Sequence, residues 1–431
     1  MVAVAMVVGA GIFRSPAEIA ANADSATWFF AAWLVGGAIT LAGALCFGEL
    51  ATMLPSAGGD YHFLKTTYGR RVAFLFAWAR FAIINTGSLA LLGFVFGDYV
   101  NAIWSLGPHG SSWYAVAAIV ALTAFNLKGT YQGIGADYAM TGVLVVGLLI
   151  IFAAGVVLAA AGAPPLVPDP AHPPGFPATF GLALLFVLFA VSGWSEISTL
   201  SAEVRDARRG MVKAMVAAIL TITVLYLLVN WALWRGLGIE GLAASRTPAS
   251  DLIGLALGEN AGLITALAVA MATLTSIHAT IIVGARTTYA CASDWPVLAR
   301  LGRWDDHLGI PVRAMLAQSA FALLLVGLGT YTRNGFATMI DYTSPVFWMF
   351  LTLSGLAVIL LRIRRPDLPR PFRVPLYPVT PLVFCAACLF VFWSSVQYVR
   401  LGAMAGVGVL LLGGIVMAWL GRSEPAAAAV R

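Results

Sequence analysis

The chain has 431 residues, of which 60% are hydrophobic and only 10% charged, and its mean hydropathy is +0.90. Soluble domains carry about 25% charged residues. This chain lacks the polar side chains to cover a water-soluble fold, so a soluble enzyme and a nucleic-acid-binding protein are excluded. In a membrane protein the net charge of +6 reports topology. The four cysteines have neither disulfide nor zinc spacing. The composition predicts a polytopic integral membrane protein in a lipid bilayer.

Twelve stretches are long and apolar enough to predict membrane-spanning helices. A spanning helix needs about 20 mostly apolar residues, because lipid offers no hydrogen-bond partner to exposed backbone. Numbered one to twelve in chain order, the predicted spans are 1–24, 27–52, 73–100, 113–126, 137–161, 179–203, 211–236, 260–290, 312–330, 337–361, 378–398 and 402–420. The predicted fold class is an all-α integral membrane protein with twelve transmembrane helices.

The basic residues orient these spans. On the side of the N-terminus the loops carry sixteen of them: Lys65, Arg70, Arg71, Lys128, Arg205, Arg208, Arg209, Lys213, Arg300, Arg303, Arg313, Arg362, Arg364, Arg365, Arg370 and Arg373. The opposite loops carry only four: Arg235, Arg246, Arg333 and Arg400. The positive-inside rule therefore predicts that both termini are cytoplasmic. We expect a multi-pass protein of the cell membrane, of the bacterial inner-membrane type.

Glycine interrupts two of the predicted spans. Span one contains VVGAGIF at residues 7–13, and span six contains FAVSGWSE at residues 189–196. Glycine permits an unwound backbone, which a membrane tolerates only where it lines a cavity. Interruptions at matching positions, five spans apart, are typical of transporters built from inverted repeats. The alternative is tight helix packing through small residues, which is common in membranes.

An unwound helix leaves N–H groups free where one half begins and C=O groups free where the other half ends. The N–H end carries the positive end of the helix dipole and suits a carboxylate. The C=O end suits an ammonium group. A zwitterionic amino acid matches both ends, so the interruptions favour an amino acid as substrate.

Five ordered motifs run through nearly the whole chain. They are GAGIF (9–13), GELA with PSAGGDY (48–61), FAVSGW (189–194), GARTTY with GIP (284–311) and RPFRVPLYP (370–378). Together they resemble the amino acid–polyamine–organocation transporter superfamily, in particular its L-type amino acid transporter branch and bacterial relatives. The resemblance implies a LeuT-type 5+5 inverted repeat with broken helices one and six. It divides the chain into a first repeat at 1–161, a second repeat at 162–361, and helices eleven and twelve with a cytoplasmic tail at 362–431.

The same resemblance implies a binding site for the substrate. The N–H groups expected to bind the carboxylate are those of Ala10, Gly11 and Ile12. The C=O groups expected to receive the ammonium group are those of Val7, Val8, Phe189, Ala190 and Ser192. Phe189 resembles the family's aromatic outer gate, and Trp194 and Ser195 would border the side-chain pocket. For the two aromatic residues the alternative is lipid or core packing.

Two departures from the family pattern bear on substrate and coupling. Many relatives carry a lysine in span five that takes the place of a sodium ion, but residues 138–162 contain no lysine. Relatives that take anionic substrates have an arginine where Asn85 aligns. A neutral side chain at that position favours a neutral amino acid.

Ionisable residues inside the membrane are expensive and need partners. Glu49 and Arg286 lie near the cytoplasmic ends of their spans, which predicts a structural or inner-gate pair. Glu196 follows the second interruption by one turn, and Arg80 or Arg14 is its expected partner. We expect structural pairing rather than substrate contact for all of these, because backbone groups can meet the charges of the substrate.

Span eight carries three further coupling candidates. The hydroxyls of Thr275 and Ser276 resemble the sodium-ligand positions of the LeuT fold, and His278 titrates near neutrality and is able to relay protons. The alternative is that the hydroxyls bond their own helix and that His278 is satisfied within the bundle.

These observations predict a secondary transporter of amino acids that works by alternating access, as an exchanger or a proton-coupled symporter. Sodium-coupled symport and a carrier of polyamines or other cations remain alternatives. A membrane enzyme is disfavoured because no cluster of catalytic side chains falls within the spans, and a channel because no repeated filter or charged ring is present. The sequence predicts no cofactor, no metal site, no nucleic-acid partner and no obligatory protein partner.

Overall fold

A computed structural model describes residues 9–56, 58–128, 134–169, 177–202, 207–293, 295, 300–305, 308–332, 334–398 and 400–423. Within these ranges the chain forms helices and loops, and the β-type pairing found there is one isolated bridge between Asp305 and Ile310. The prediction of an all-α protein is therefore confirmed for the described part of the chain.

The α-helices are numbered here in chain order. They are α1 Ser15–Ala23, α2 Ala26–Met53, α3 Asp60–Tyr68, α4 Arg70–Ala79, α5 Thr86–Ile103, α6 Gly110–Asn126, α7 Ile134–Ala160, α8 Phe180–Ala190, α9 Ala207–Ala244, α10 Pro248–Leu257, α11 Glu259–Ser293, α12 Val312–Thr330, α13 Gly335–Arg364, α14 Val379–Tyr398 and α15 Arg400–Ser423. Two 3₁₀ segments, Ala10–Phe13 and Ser192–Ala202, precede α1 and follow α8. A π turn, Arg80–Asn85, joins α4 to α5.

Seven helices of the described chain are long and apolar enough to cross a membrane: α2, the continuous α4–α5 unit, α9, α11, α12, α13 and α14. The bent pair formed by α8 and the segment after it is an eighth candidate span. Shorter apolar helices lie within α7 and α15. The protein is thus a multi-pass membrane protein, and the total of twelve spans stays a prediction.

The helix boundaries follow from local sequence signals. Ser25 caps α2 by accepting a hydrogen bond from the Trp28 N–H, and Asn334 caps α13 in the same way through the Ala337 N–H. Pro16 lies in the first turn of α1, where a missing N–H costs nothing. Helices α3 and α10 fall between predicted spans and were not predicted. Both are short and end at a glycine with positive φ.

Glycines let α2 approach two neighbouring helices closely. A Cβ on Gly36 would meet the Val187 side chain of α8, and one on Gly37 would lie 2.7 Å from Thr223 Cγ2 of α9. A Cβ on Gly43 would lie 2.7 Å from the Trp194 ring. Small residues of this kind hold membrane helices together. They fix the position of α8, and with it the position of the second interruption.

Candidate functional site

The first interruption lies between Gly9 and Arg14. Gly9 is extended (φ −105°, ψ 161°), residues 10–13 form a 3₁₀ turn, and Arg14 departs from helical geometry (φ −123°, ψ −36°) before α1 begins. The turn is closed by hydrogen bonds from the Ile12 N–H to the Gly9 C=O at 3.4 Å and from the Arg14 N–H to the Gly11 C=O at 3.0 Å. These residues depart from α-helical geometry where the break in span one is predicted. Val7 and Val8 lie outside the described residues, so their roles stay predictions.

The two glycines of this interruption are not packing glycines. A Cβ on Gly9 would meet no described atom within 4 Å, and one on Gly11 would meet only Ser15 Oγ at 4.0 Å. Neither residue has a positive φ. Packing against the described residues and backbone conformation therefore do not require glycine at either position.

Two backbone donors at this turn have no acceptor in the described part of the chain. Ala10 is fully buried, and no hydrogen bond to a described residue begins at its N–H or at the Gly11 N–H. The Ile12 N–H, the third expected carboxylate donor, is engaged by Gly9. The residues that would normally accept from these two groups precede Gly9 and lie outside the described residues, so Ala10 and Gly11 stay predicted donors to an anionic group.

The second interruption lies at the end of α8. The helix ends at Ala190, Val191 still donates its N–H to the Val187 C=O at 3.2 Å, and the chain continues as a 3₁₀ segment bent by 44° from α8. The last carbonyls of an α-helix have no partner within it. The predicted break in span six is confirmed, and the C=O groups of its final turn end beside the bend.

Packing brings the two interruptions together. The 3₁₀ turn at 10–13 contacts α8, α5 and α11, and α1 lies along α8. The N–H end of one break and the C=O end of the other therefore border a common region, as the sequence predicts for a zwitterion.

The two aromatic candidates occupy different surroundings. Phe189 is half-buried, and its ring lies 5.5 Å from the ring of Phe347 and 6.2 Å from that of Trp348 on α13. Trp194 is buried, with its ring 4.9 Å from Phe47 and 6.1 Å from Phe384. Trp194 is thus packed between α2 and α14, which is the alternative left open by the sequence, whereas the half-buried Phe189 packs against α13.

Asn85 lies at the end of the π turn between α4 and α5. Its side chain is 8% exposed, and its Nδ2 is buried without a hydrogen-bond partner among the described residues. The Tyr342 hydroxyl donates to the Ala82 C=O at 3.0 Å, which satisfies one carbonyl of the widened turn. Such π turns occur frequently at functional sites. The sequence predicted the residue but not the turn that carries it.

Glu196 pairs with Arg80, as predicted, through a contact of 2.7 Å between Oε1 and Nη1. Asp60, at the start of α3, interacts electrostatically with both Glu196 and Arg80. Its Oδ1 is buried without a hydrogen-bond partner in the described chain. Burial raises the pKa of the Asp60 carboxyl to about 8, Glu196 acts in the same direction, and Arg80 opposes both. The sequence analysis missed Asp60, because its partners come from distant parts of the chain.

The expected pair between Glu49 and Arg286 is wrong. Glu49 is fully buried and accepts hydrogen bonds from Arg362 on both carboxylate oxygens, and its Oε2 also accepts from the Val374 N–H at 2.7 Å. The Arg362 guanidinium lies 3.9 Å from the centre of the Tyr377 ring. Glu49 therefore links the C-terminal end of α2 to the end of α13 and to the RPFRVPLYP motif, because these three elements meet there.

The hydroxyls of span eight bond their own helix. Thr275 donates to the Met271 C=O at 3.3 Å and Ser276 to the Ala272 C=O at 3.4 Å. His278 is buried, its Nδ1 lies 3.1 Å from Asn126 Nδ2, and its ring lies 5.9 Å from that of Phe125. The two hydroxyls therefore bond their own helix, which is the alternative stated above. His278 is paired through Nδ1 with Asn126 inside the helix bundle.

These features define a helical membrane protein in which the 3₁₀ turn at 10–13 packs against the bent pair that begins with α8. The profile of the amino acid permease family matches residues 1–418, so the chain belongs to that family. The resemblance found in the motifs is confirmed, and the family is one of permeases rather than enzymes.

Named relatives match along most of the chain. It is 25% identical over 392 residues to the serine/threonine exchanger SteT of Bacillus subtilis, covering 90% of this chain and 87% of the relative. It is 26% identical to the mouse b(0,+)-type amino acid transporter 1, covering 91% and 80%. It is 27% identical to the rabbit large neutral amino acids transporter small subunit 2, covering 94% and 77%.

Proposed function

We propose that this protein is a secondary transporter that moves amino acids across the cell membrane by alternating access around the two interruptions. The proposal includes twelve spans in a LeuT-type arrangement, with repeats at 1–161 and 162–361 and an appended unit at 362–431. Both termini lie in the cytoplasm, as the distribution of Lys and Arg predicts. Membership of the amino acid permease family supports amino acids as the cargo.

The observation that carries the proposal is the contact between the 3₁₀ turn at 10–13 and α8, the helix that ends at the second bend. The turn carries the Ala10 and Gly11 N–H groups that are predicted to bind a carboxylate, and α8 ends at Ala190 with C=O groups that have no partner within the helix. A carboxylate at this end and an ammonium group at the C=O end of α8 satisfy both sets of backbone groups. Binding through backbone avoids the cost of permanent charges in the membrane.

The substrate is a neutral amino acid, and the mode is exchange or proton coupling. Asn85 supports a neutral substrate because its free amide donor is uncharged. The name of one relative, a serine/threonine exchanger, agrees with a neutral substrate and with exchange. The name of another, a large neutral amino acids transporter, agrees with a neutral substrate. Sodium coupling has less support, because the hydroxyls of Thr275 and Ser276 are engaged by their own helix.

Counterflow in proteoliposomes tests the transport function. Vesicles with the purified protein are loaded with unlabelled serine and exposed to labelled serine, in competition with each of the twenty amino acids. We expect saturable uptake that internal serine stimulates and that neutral amino acids compete away. Flux that rises linearly with concentration and ignores internal substrate would indicate a channel and overturn the proposal.

Ion replacement tests the coupling mode. We expect uptake to persist when choline replaces sodium at fixed pH, and a pH gradient then separates exchange from proton symport. Loss of the pH response in His278→Gln would support a proton route through α11. Strict dependence of uptake on sodium would favour sodium symport over exchange and proton coupling.

A further inference from the structure

Arg14 is a buried arginine at the junction between the first interruption and α1. It is 5% exposed. Its Nη2 lies 3.0 Å from Glu18 Oε1 on α1, and its Nε lies 3.5 Å from Asp98 Oδ2 on α5. Its Nη1 donates to the Ser245 C=O at 3.3 Å, just after α9. One guanidinium thus bridges its own helix and two other parts of the fold.

The two carboxylates extend this network to further elements. Glu18 Oε1 accepts a hydrogen bond from Asn334 Nδ2 at 2.6 Å, in the turn before α13. Asp98 Oδ1 accepts from the Ser111 hydroxyl at 2.6 Å, at the start of α6. Next to them, the Tyr99 hydroxyl donates to the Phe13 C=O at 2.9 Å within the 3₁₀ turn. The network ties the 10–23 segment to α5, α6 and the approaches to α10 and α13.

All these groups lie on one side of the interruption. In the proposed topology α1 is the outer half of span one, and the contacts to it come from the outer end of α5, the start of α6 and the outer loops after α9 and before α13. The Arg80–Glu196 pair lies at the opposite end, beyond the second interruption. The Arg14 network therefore closes the outer side of the region that we propose holds the substrate.

The ion pairs of Arg14 are expected to form and break together, because a buried charge without its partner is strongly destabilising. A buried arginine is stable in a membrane only with its carboxylates in place. If α1 moves away from α5, Arg14 and Asp98 separate, and both need water that enters only when the outer side opens. The backbone before α1 supplies the joint for this motion, because Gly9 is extended and Arg14 departs from helical geometry.

Building on the proposed function, we infer that Arg14 is the outer latch of the transport cycle: its ion pairs with Glu18 and Asp98 hold the extracellular path closed and break in the outward-open state. Arg14 acts as a positioning residue, since it orders the interruption against α5. Removing its charge shifts the population towards the outward-open state, while the backbone donors of the interruption remain intact.

The latch is tested by thiol labelling of intact cells with a membrane-impermeant reagent. Ser15→Cys places a nearly isosteric thiol at a 1% exposed position, beside the open face of Gly11. In the otherwise native protein we expect slow labelling from outside. Adding Arg14→Gln should raise the labelling rate on the order of tenfold, a typical coupling between two states. The protein without the introduced cysteine provides the background of the native thiols.

Two further variants make the test specific. Asn334→Ala removes one bond to Glu18 without leaving a charge unpaired, so labelling should rise in the same direction by a smaller factor. Arg235→Gln is the matched control. Arg235 lies within α9, donates to the Ala163 C=O at 2.8 Å and forms no ion pair with a described carboxylate. Its labelling should equal that of Ser15→Cys alone.

The outcomes separate the latch from the transport function, because labelling needs no substrate. Unchanged labelling in both Arg14→Gln and Asn334→Ala would overturn the latch even if counterflow occurs. An equal rise in Arg235→Gln would attribute the effect to general loosening and would overturn it too. Raised labelling in the two latch variants alone would support the latch, whatever cargo the transport assay identifies.

Discussion

Arg80 Nη1 lies 2.7 Å from Glu196 Oε1, which joins the π turn before α5 to the 3₁₀ segment after the second interruption. The two residues are separated by 116 positions in the chain. The Arg80 side chain is 13% exposed and the Glu196 side chain is 34% exposed, so the pair is only partly buried and Glu196 is its more accessible member. A partly exposed ion pair can break without leaving an unpaired charge fully buried.

The first prediction concerns this pair as a closure on the inner side. Glu196→Gln should lower the exchange rate on the order of tenfold, because the inner side then closes less often, and the exchanged charges in Arg80→Glu with Glu196→Arg should restore part of it. Counterflow rates per inserted protein measure the effect. Asp367→Asn is the control, because Asp367 pairs with Arg365 at 3.7 Å on an exposed surface. A charge-swapped double variant no better than the single variants would argue against direct pairing.

The second prediction concerns the open glycine of the first interruption. Gly11→Val should weaken substrate binding by at least about tenfold, because the branched side chain occupies ligand space. Folding should persist, since the nearest described atom to a Cβ there is Ser15 Oγ at 4.0 Å. Equilibrium binding and thermal unfolding in detergent separate the two effects. Gly408→Val is the matched control, because a Cβ on Gly408 also meets no described atom within 4 Å but lies in α15. Unchanged affinity in Gly11→Val would remove the first interruption from the site.

The third prediction concerns Phe189 as a gate. Phe189→Ala should slow exchange several-fold while insertion and thermal stability stay near those of the native protein, because the ring is only half-buried and contacts Phe347 and Trp348. Phe189→Tyr should retain most of the rate. Phe47→Ala is the structural comparison, since Phe47 is fully buried and should instead lower stability. A native exchange rate in Phe189→Ala would make Phe189 a packing residue.

The fourth prediction is a dependence of stability on pH through Asp60. Its pKa is about 8 in the folded protein against an ordinary value of 3.8, so between these values the folded state holds a proton that the unfolded state has released. Asp60 therefore makes stability fall as pH rises from about 4 to 8, and the loss levels off above that. Asp60→Asn should flatten this part of the Tm profile.

Asp367→Asn serves as the comparison for the pH profile, because Asp367 is an exposed carboxylate. Its profile should follow that of the native protein. If the native and Asp60→Asn profiles run parallel between pH 5 and 8, Asp60 does not titrate in this range, and its proximity to Arg80 outweighs its burial.

Much of the site was accessible from sequence because its parts are local. The departures from α-helix at 9–14 and 190–192 follow from glycine and small residues within apolar runs, and both lie where the sequence predicts breaks. The Glu196–Arg80 pair was also predicted, because a charge one turn beyond a break needs a partner inside the membrane. The π turn carrying Asn85 was not predicted, since the stretch around it contains no breaker and reads as a continuous apolar helix.

The sequence by itself determined that this protein is an all-helical membrane protein with departures from helix at 9–14 and 190–192, because hydropathy, glycine and backbone hydrogen bonding act within a few residues of each other. Only the tertiary structure decided which charges meet. Glu49 and Arg362 are 313 positions apart, and Arg14 meets Asp98 and Ser245 across three elements. Such pairs depend on which helix ends converge after packing. In a medium that offers no water to an unpaired charge, that convergence selects one partner from several that the sequence allows.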